Sequence, residues 1–150
     1  MNKNRLSLKN FVAVSLIVSV WVHLAEASRF FLIVTPIMEK EIPQLPLVTE
    51  ISLSTWISWA IWDTLLSSMY VWMTWLTIQV YGKSLKYGIF AGVISWVFFF
   101  LLFWIAMLNM NLASLKVVLI ALPLALVETI IASCFAVFIF SRQEKLMNPA

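Results

Sequence analysis

Five titratable side chains interrupt long apolar stretches of this sequence: His23, Glu26, Arg29, Asp63 and Glu128. A charged group in an apolar medium loses its hydration, so it is rare there unless it faces another polar group, water or a ligand. Three carboxylates and one imidazole in such a medium cannot all be charged without partners, and at least one carboxyl is expected to be protonated near neutral pH. Because such a group is able to exchange its proton with a substrate, these residues are candidate site residues.

The medium is predicted to be lipid, because the composition lies far from that of soluble domains. The chain has 150 residues, of which 63% are hydrophobic and 11% charged, and its mean hydropathy is +0.97. The net charge of +3 comes from basic residues scattered singly at the ends of apolar runs, so we predict no nucleic-acid partner. The single cysteine, Cys134, lies in an apolar run and predicts no disulfide.

Four apolar runs are each long enough to cross the hydrocarbon layer, which needs about 20 helical residues. They cover residues 11–34, 51–80, 87–108 and 115–140. The breaks between them contain Thr35, Pro36, Pro43 and Pro46, then Gly82, and then Asn109, Met110 and Asn111. Because the three links are short, neighbouring helices should be antiparallel. The sequence thus predicts an all-α integral membrane protein, a four-helix up-down bundle forming a single transmembrane domain over residues 1–150.

The placement of lysine and arginine predicts the orientation, since these residues resist translocation across a membrane. Lys40 and Lys116 lie on one side. Seven others lie on the opposite side: Lys3, Arg5, Lys9, Lys83, Lys86, Arg142 and Lys145. Both termini are therefore predicted to be cytoplasmic. One alternative stays open, because the segment 25–27 imitates the cleavage site of a signal peptide that would include most of the first span.

The titratable residues share a depth when they are placed on ideal helices. At about 1.5 Å per residue, His23, Asp63 and Glu128 come out near the middle of their spans. At about 100° per residue, Glu26 and Arg29 continue the stripe that contains His23. These two residues are also spaced at i, i+3, so they are expected to pair unless Arg29 extends toward the membrane surface.

The second and fourth helices are predicted to face the same layer. Trp59 lies one turn from Asp63 in a polar stripe, and Glu128 shares a face with four alanines, which usually mark the side on which another helix packs. The predicted pocket consists of His23, Glu26, Arg29, Trp59, Asp63, Ser67, Tyr70 and Glu128.

The third helix has no titratable side chain between residues 87 and 108. Gly88 and Gly92 have the GxxxG spacing, and Ser95 follows one turn later. Small residues at this spacing let another helix approach closely. We therefore interpret this helix as a packing scaffold or as the face of a dimer.

Three functions fit such a pocket. We favour a proton-coupled carrier or channel for a small, cationic solute, in which Asp63 and Glu128 select charge and Trp59 offers its ring face. A homodimer is expected in that case, since four helices alone enclose little volume. The first alternative is a membrane-embedded enzyme that acts on a lipid or isoprenoid, with His23 or a carboxyl as general acid. The second is an accessory subunit of a larger membrane complex.

No cofactor and no metal are predicted. One histidine excludes a haem with two histidine ligands, and a carboxylate-rich metal site would need His23 and Glu26 together with carboxylates from other helices. The expected partners are the lipid bilayer, a small solute or lipid, and a second copy of the chain.

Overall fold

Four helices make up the computed structural model, which describes residues 7–43 and 52–147. Helix α1 covers Leu8–Glu41, α2 covers Leu53–Tyr81, α3 covers Leu85–Asn109 and α4 covers Leu115–Met147. This described part of the chain contains no strand. The all-α prediction is confirmed. Lys3, Arg5 and Pro46, which the sequence assigns to the N-terminal tail and the first link, lie outside the described residues.

Serine side chains cap the starts of three helices. Ser7 accepts a hydrogen bond from the Asn10 N–H at 3.1 Å, and Ser52 accepts one from the Thr55 N–H at 3.2 Å. Ser114 accepts one from the N–H of Val117 at 3.3 Å. The first N–H groups of a helix have no partner within the helix, and a serine just before it satisfies one of them. These local bonds explain why the helices begin close to the starts of the apolar runs.

Neighbouring helices run antiparallel, as the short links predict. On α1 and α4, Arg29 pairs with Glu128 while Glu41, later in α1, pairs with Lys116, earlier in α4. On α2 and α3, Tyr70 contacts Phe99 while Tyr81, later in α2, contacts Tyr87, earlier in α3. Chain order is thus reversed from one helix to the next.

A close helix contact joins α3 to α4. A Cβ atom added at Gly92 would lie 2.6 Å from the Cα of Ile130, and one added at Gly88 would lie 3.1 Å from the Cα of Cys134. The alanine face of α4 is fully buried: Ala121, Ala125, Ala132 and Ala136. The glycine face of α3 is therefore occupied by α4 of the same chain, which selects the packing scaffold over the dimer face.

Two of the helices contain a π-turn, where the backbone bond reaches five residues back. The Thr35 N–H donates to the carbonyl of Phe30, and the Leu102 N–H donates to the carbonyl of Val97. The prediction that Thr35 and Pro36 end the first helix is wrong. Pro36 lacks an N–H and its ring crowds a regular α-helix, and here it follows directly on the wider π-turn, after which α1 continues to Glu41.

Three helices are long and apolar enough to cross a membrane. They are α1, α3 and α4 over Leu8–Glu41, Leu85–Asn109 and Leu115–Arg142. Helix α2 is as long, but four serines, four threonines, five tryptophans and Asp63 lower its mean hydropathy. Large apolar side chains are more than half exposed on the outer face of every helix: Val20, Ile61, Phe98 and Leu119. A surface of this kind is typical of a protein that is solvated by lipid.

Candidate functional site

A cavity of about 910 Å³ lies between α1, α2 and α3. Its described lining includes four titratable residues, His23, Glu26, Arg29 and Asp63, and nine aromatic ones. A pocket that is mostly apolar and has a few convergent polar groups is the usual form of a small-molecule site. One chain alone frames this volume, so a second copy is not needed to enclose a pocket. The homodimer stays a prediction.

Both π-turns contribute to the cavity wall. Phe30 and Val34 come from the π-turn of α1, and Phe98, Phe99 and Phe100 come from that of α3. A π-turn inserts one residue into the helical repeat and so re-aims the side chains around it, and such turns often occur at functional sites. These phenylalanines were not among the predicted pocket residues, because that prediction was based on polar side chains and interpreted the third helix as a packing scaffold or dimer face.

Arg29 is the centre of a buried ion network that joins three helices. Its guanidinium donates to Glu26 on the same helix, and its Nη1 donates to Oε2 of Glu128 on α4 at 3.0 Å. The ring of Phe100 on α3 lies against the same guanidinium, with 4.8 Å between Cζ and the ring centroid. We call Arg29, Glu26, Glu128 and Phe100 the Arg29 network. Arg29 is 6% exposed, so it pairs within the bundle and does not extend toward a membrane surface.

Two polar atoms beside this network have no hydrogen-bond partner among the described residues. They are the second carboxyl oxygen of Glu128, Oε1, and the hydroxyl of Tyr70. Both side chains are buried, and Tyr70 lies within electrostatic range of the Arg29 network. Buried polar groups are nearly always hydrogen-bonded. Both atoms therefore have unused hydrogen-bonding capacity next to Arg29.

Asp63 is the carboxylate that faces the cavity without a partner of its own. It is 8% exposed and lines the cavity. In the part of the chain that the structure describes, no side chain donates a hydrogen bond to its carboxylate. Ser67, one turn later, donates its hydroxyl to the backbone carbonyl of Asp63 at 2.6 Å and leaves the carboxylate untouched. Asp63 is thus available to a ligand, whereas Glu128 is held by Arg29.

His23 lines the cavity and is hydrogen-bonded through one of its ring nitrogens. Its Nδ1 lies 2.6 Å from the carbonyl oxygen of Ser19. A carbonyl only accepts, so Nδ1 carries the proton and Nε2 keeps a lone pair in the neutral ring. His23 lines the cavity together with Asp63.

Aromatic rings line one part of the cavity, beside the π-turn of α1. The ring centroid of Trp59 lies 4.7 Å from that of Phe30 and 5.8 Å from that of Trp56, and both pairs are edge-to-face. Phe31 contacts both tryptophans. Phe30, Phe31, Trp56 and Trp59 form what we call the aromatic cluster. Edge-to-face rings leave part of their π faces open, and such faces attract cations.

The eight predicted pocket residues divide into two groups. His23, Glu26, Arg29, Trp59 and Asp63 line the cavity. Ser67, Tyr70 and Glu128 do not: they are buried behind it, and Glu128 is connected to it through Arg29. Among the described residues, no three His, Cys, Asp or Glu side chains are grouped so that they could hold a metal ion.

Comparison of the chain with known protein families, with curated proteins and with solved structures found no match. The chemistry of the cavity is therefore the basis for assigning a function.

Proposed function

We propose that this protein carries a small organic cation across a membrane in exchange for protons. The observation behind the proposal is Asp63, a carboxylate that lines a largely aromatic cavity and has no described hydrogen-bond partner. A buried carboxylate without a partner is costly in its charged form. It is stable either with a proton or with a cation, and these two compete for it.

The charges around the cavity support this competition. Three carboxyls, Glu26, Asp63 and Glu128, lie in a layer where Arg29 is the cation. Arg29 already bonds to Glu26 and Glu128, so Asp63 is left to bind the solute. Because a bound cation and a bound proton would not occupy Asp63 together, loading one releases the other. Exchange of this kind couples the movement of the solute to the movement of protons.

The carrier is proposed to cross the membrane four times, with both termini in the cytoplasm. Three helices have the composition of membrane spans. Helix α2 would be the fourth, since it presents Ile61, Trp62 and Leu65, each more than half exposed, on its outer face. The excess of lysine and arginine near the termini and the second link sets the orientation.

Proton release from proteoliposomes tests the proposal. The purified chain is reconstituted into vesicles that contain a trapped pH-sensitive dye, and tetraethylammonium or tetraphenylphosphonium is added outside. Neither cation carries a titratable proton, so a pH change inside that is larger than in protein-free vesicles reports exchange by the protein. The wild type should respond to at least one of them, and Asp63→Asn should not. Glu39→Gln, which removes an exposed carboxyl on the same chain, is the matched control and should behave as the wild type. A wild type that responds to neither cation contradicts the carrier.

A second candidate is an enzyme that acts on a lipid or isoprenoid, which the geometry of His23 favours. His23 lines a largely apolar cavity, and the lone pair on Nε2 of its neutral ring could act as a general base toward an apolar substrate. Mass spectrometry of the purified protein distinguishes the two. An enzyme would retain a lipid that is converted by the wild type and left unchanged by His23→Gln.

A further inference from the structure

The cavity has an apolar rim on the outer surface of the helices. Four of the side chains that line it are also more than half exposed: Leu24 on α1, Trp62 and Leu65 on α2, and Phe98 on α3. These side chains belong to the surface that lipid would cover. None of these four side chains is charged, so the rim itself is apolar.

This rim selects against a strongly hydrated ion. Such an ion would have to shed its water where only apolar side chains replace it, which is costly. A cation whose charge is surrounded by hydrocarbon or aromatic groups is poorly hydrated and already dissolves in the membrane. Its free energy falls when its apolar groups leave water and enter an apolar cavity.

The size and the charge of the cavity agree with the same class of solute. About 910 Å³ is in the upper part of the range of about 300–1,000 Å³ that accommodates drug-sized ligands. An inorganic cation or a methylamine would fill little of it. An organic anion would be repelled by the unpaired carboxylate of Asp63, and it could not pair with Arg29, which is already bound to two carboxylates.

The aromatic cluster provides the remaining contact. Trp59 lines the cavity on the same face of α2 as Asp63, one turn away, and its neighbours Phe30 and Trp56 line the cavity too. Phe100 is already used, since the guanidinium of Arg29 lies against its ring. A diffuse cation beside Asp63 would therefore have the rings of the aromatic cluster next to its charge.

We propose that the solute is an amphiphilic cation with bulky apolar substituents, which enters the cavity sideways from the lipid through the rim formed by Leu24, Trp62, Leu65 and Phe98. This inference rests on the proposed function, because it names the class of cation that Asp63 would bind. Asp63 supplies the charge selection, and Trp59 is a specificity-determining residue.

Two probes of the same shape and opposite charge test the proposal on the full chain in detergent. Tetraphenylphosphonium and tetraphenylborate have nearly the same size and shape but opposite charge, and tetramethylammonium has the positive charge without the bulk. Tetraphenylphosphonium should bind to the wild type in calorimetry, with tetraphenylborate undetected and tetramethylammonium at least about 100-fold weaker. Equal binding of the two tetraphenyl ions, or of the two cations, overturns the proposal. This comparison needs no variant, so it does not depend on whether a substitution folds.

Variants then assign the contacts. Asp63→Asn should weaken tetraphenylphosphonium at least about tenfold, whereas Asp63→Glu retains binding. Trp59→Ala should weaken it about tenfold and Trp59→Phe much less, because phenylalanine keeps a π face. Trp72→Ala is the matched control, since Trp72 lies on α2, half exposed and outside the cavity lining. If Trp59→Ala and Trp72→Ala have the same effect, the role of the aromatic cluster is wrong.

The outcomes separate this inference from the carrier itself. Binding of tetraphenylphosphonium that depends on Asp63 but moves no protons in proteoliposomes would support the class of ligand and refute the carrier. Proton exchange with small quaternary ammonium ions, and no binding of tetraphenylphosphonium, would support the carrier and refute the class of ligand.

Discussion

Replacing Arg29 by methionine would remove the cation from a buried ion network. Arg29 bonds to Glu26 and Glu128, and the side chain of Glu128 is only 3% exposed. Without Arg29, two carboxylates would stay in an apolar layer with no compensating charge. Breaking a buried pair by removing one partner costs about 3–5 kcal/mol. We expect the free energy of unfolding of Arg29→Met to fall by that amount at about pH 8, and by less at about pH 5, because protonation of the carboxylates relieves the repulsion between them.

Three further variants define the contribution of each contact. Glu128→Gln deletes one charge but leaves Arg29 paired with Glu26, so it should cost about 1.5–3 kcal/mol, the value of a hydrogen bond to a charged group. The double variant Arg29→Met with Glu128→Gln should cost less than the two single changes together, by about 1–3 kcal/mol, because the residues act as a pair. Arg29→Lys keeps the charge but loses the fork that reaches two carboxylates, and its effect should be intermediate.

Reversible unfolding in mixed micelles, followed by circular dichroism, measures these free energies. Lys116→Met is the matched control, since it breaks an exposed ion pair with Glu41 at 3.1 Å and should cost under about 1 kcal/mol. The buried network does not exist in the folded protein if the free energy of unfolding of Arg29→Met lies within about 0.5 kcal/mol of the wild type at both pH values. The same conclusion follows if the loss in the double variant equals the sum of the losses in the two single variants.

Two other predictions concern packing and an unpartnered hydroxyl. Gly92→Ala places a Cβ 2.6 Å from the Cα of Ile130, about 1 Å inside ordinary contact, and should lower the free energy of unfolding by about 1–3 kcal/mol. Gly88→Ala, with 3.1 Å to its nearest Cα, should cost less; the reverse order in a thermal melt would contradict the α3–α4 contact. Tyr70→Phe removes a buried hydroxyl that has no described partner, so the unfolding free energy should stay within about 0.5 kcal/mol or rise. A loss above about 1 kcal/mol would mean that a group or a water bonds to this hydroxyl.

The fold was accessible from the sequence because each piece of it depends on local properties. Apolar runs longer than about 20 residues predict helices, and the serine caps and Gly82 define several of their ends. The alanine face of α4 was readable because small residues recur at a helical period. The end of the first helix was predicted wrongly at Pro36, because no simple sequence rule predicts the π-turn that precedes it.

The candidate site was accessible only in part. Periodicity placed Glu26 and Arg29 on one face of α1, and Asp63 and Trp59 on one face of α2, because these relations lie within single helices. The cavity itself, its phenylalanines from α3, and the position of Glu128 behind Arg29 were not predicted. Each of these depends on the rotation and separation of helices relative to one another.

The sequence by itself determined which segments are helical and which of their faces hold the few costly polar groups, because the burial of apolar surface and the cost of a buried charge act residue by residue. Only the tertiary structure decided which carboxyl is paired and which is free. Arg29 and Glu128 are 99 residues apart in the chain, and they meet because α1 packs against α4, where Trp21 also donates to the backbone carbonyl of Glu128. Asp63 lines the cavity between α1, α2 and α3, where no described side chain bonds to its carboxylate, and such a cavity is a property of side chains packed from three helices.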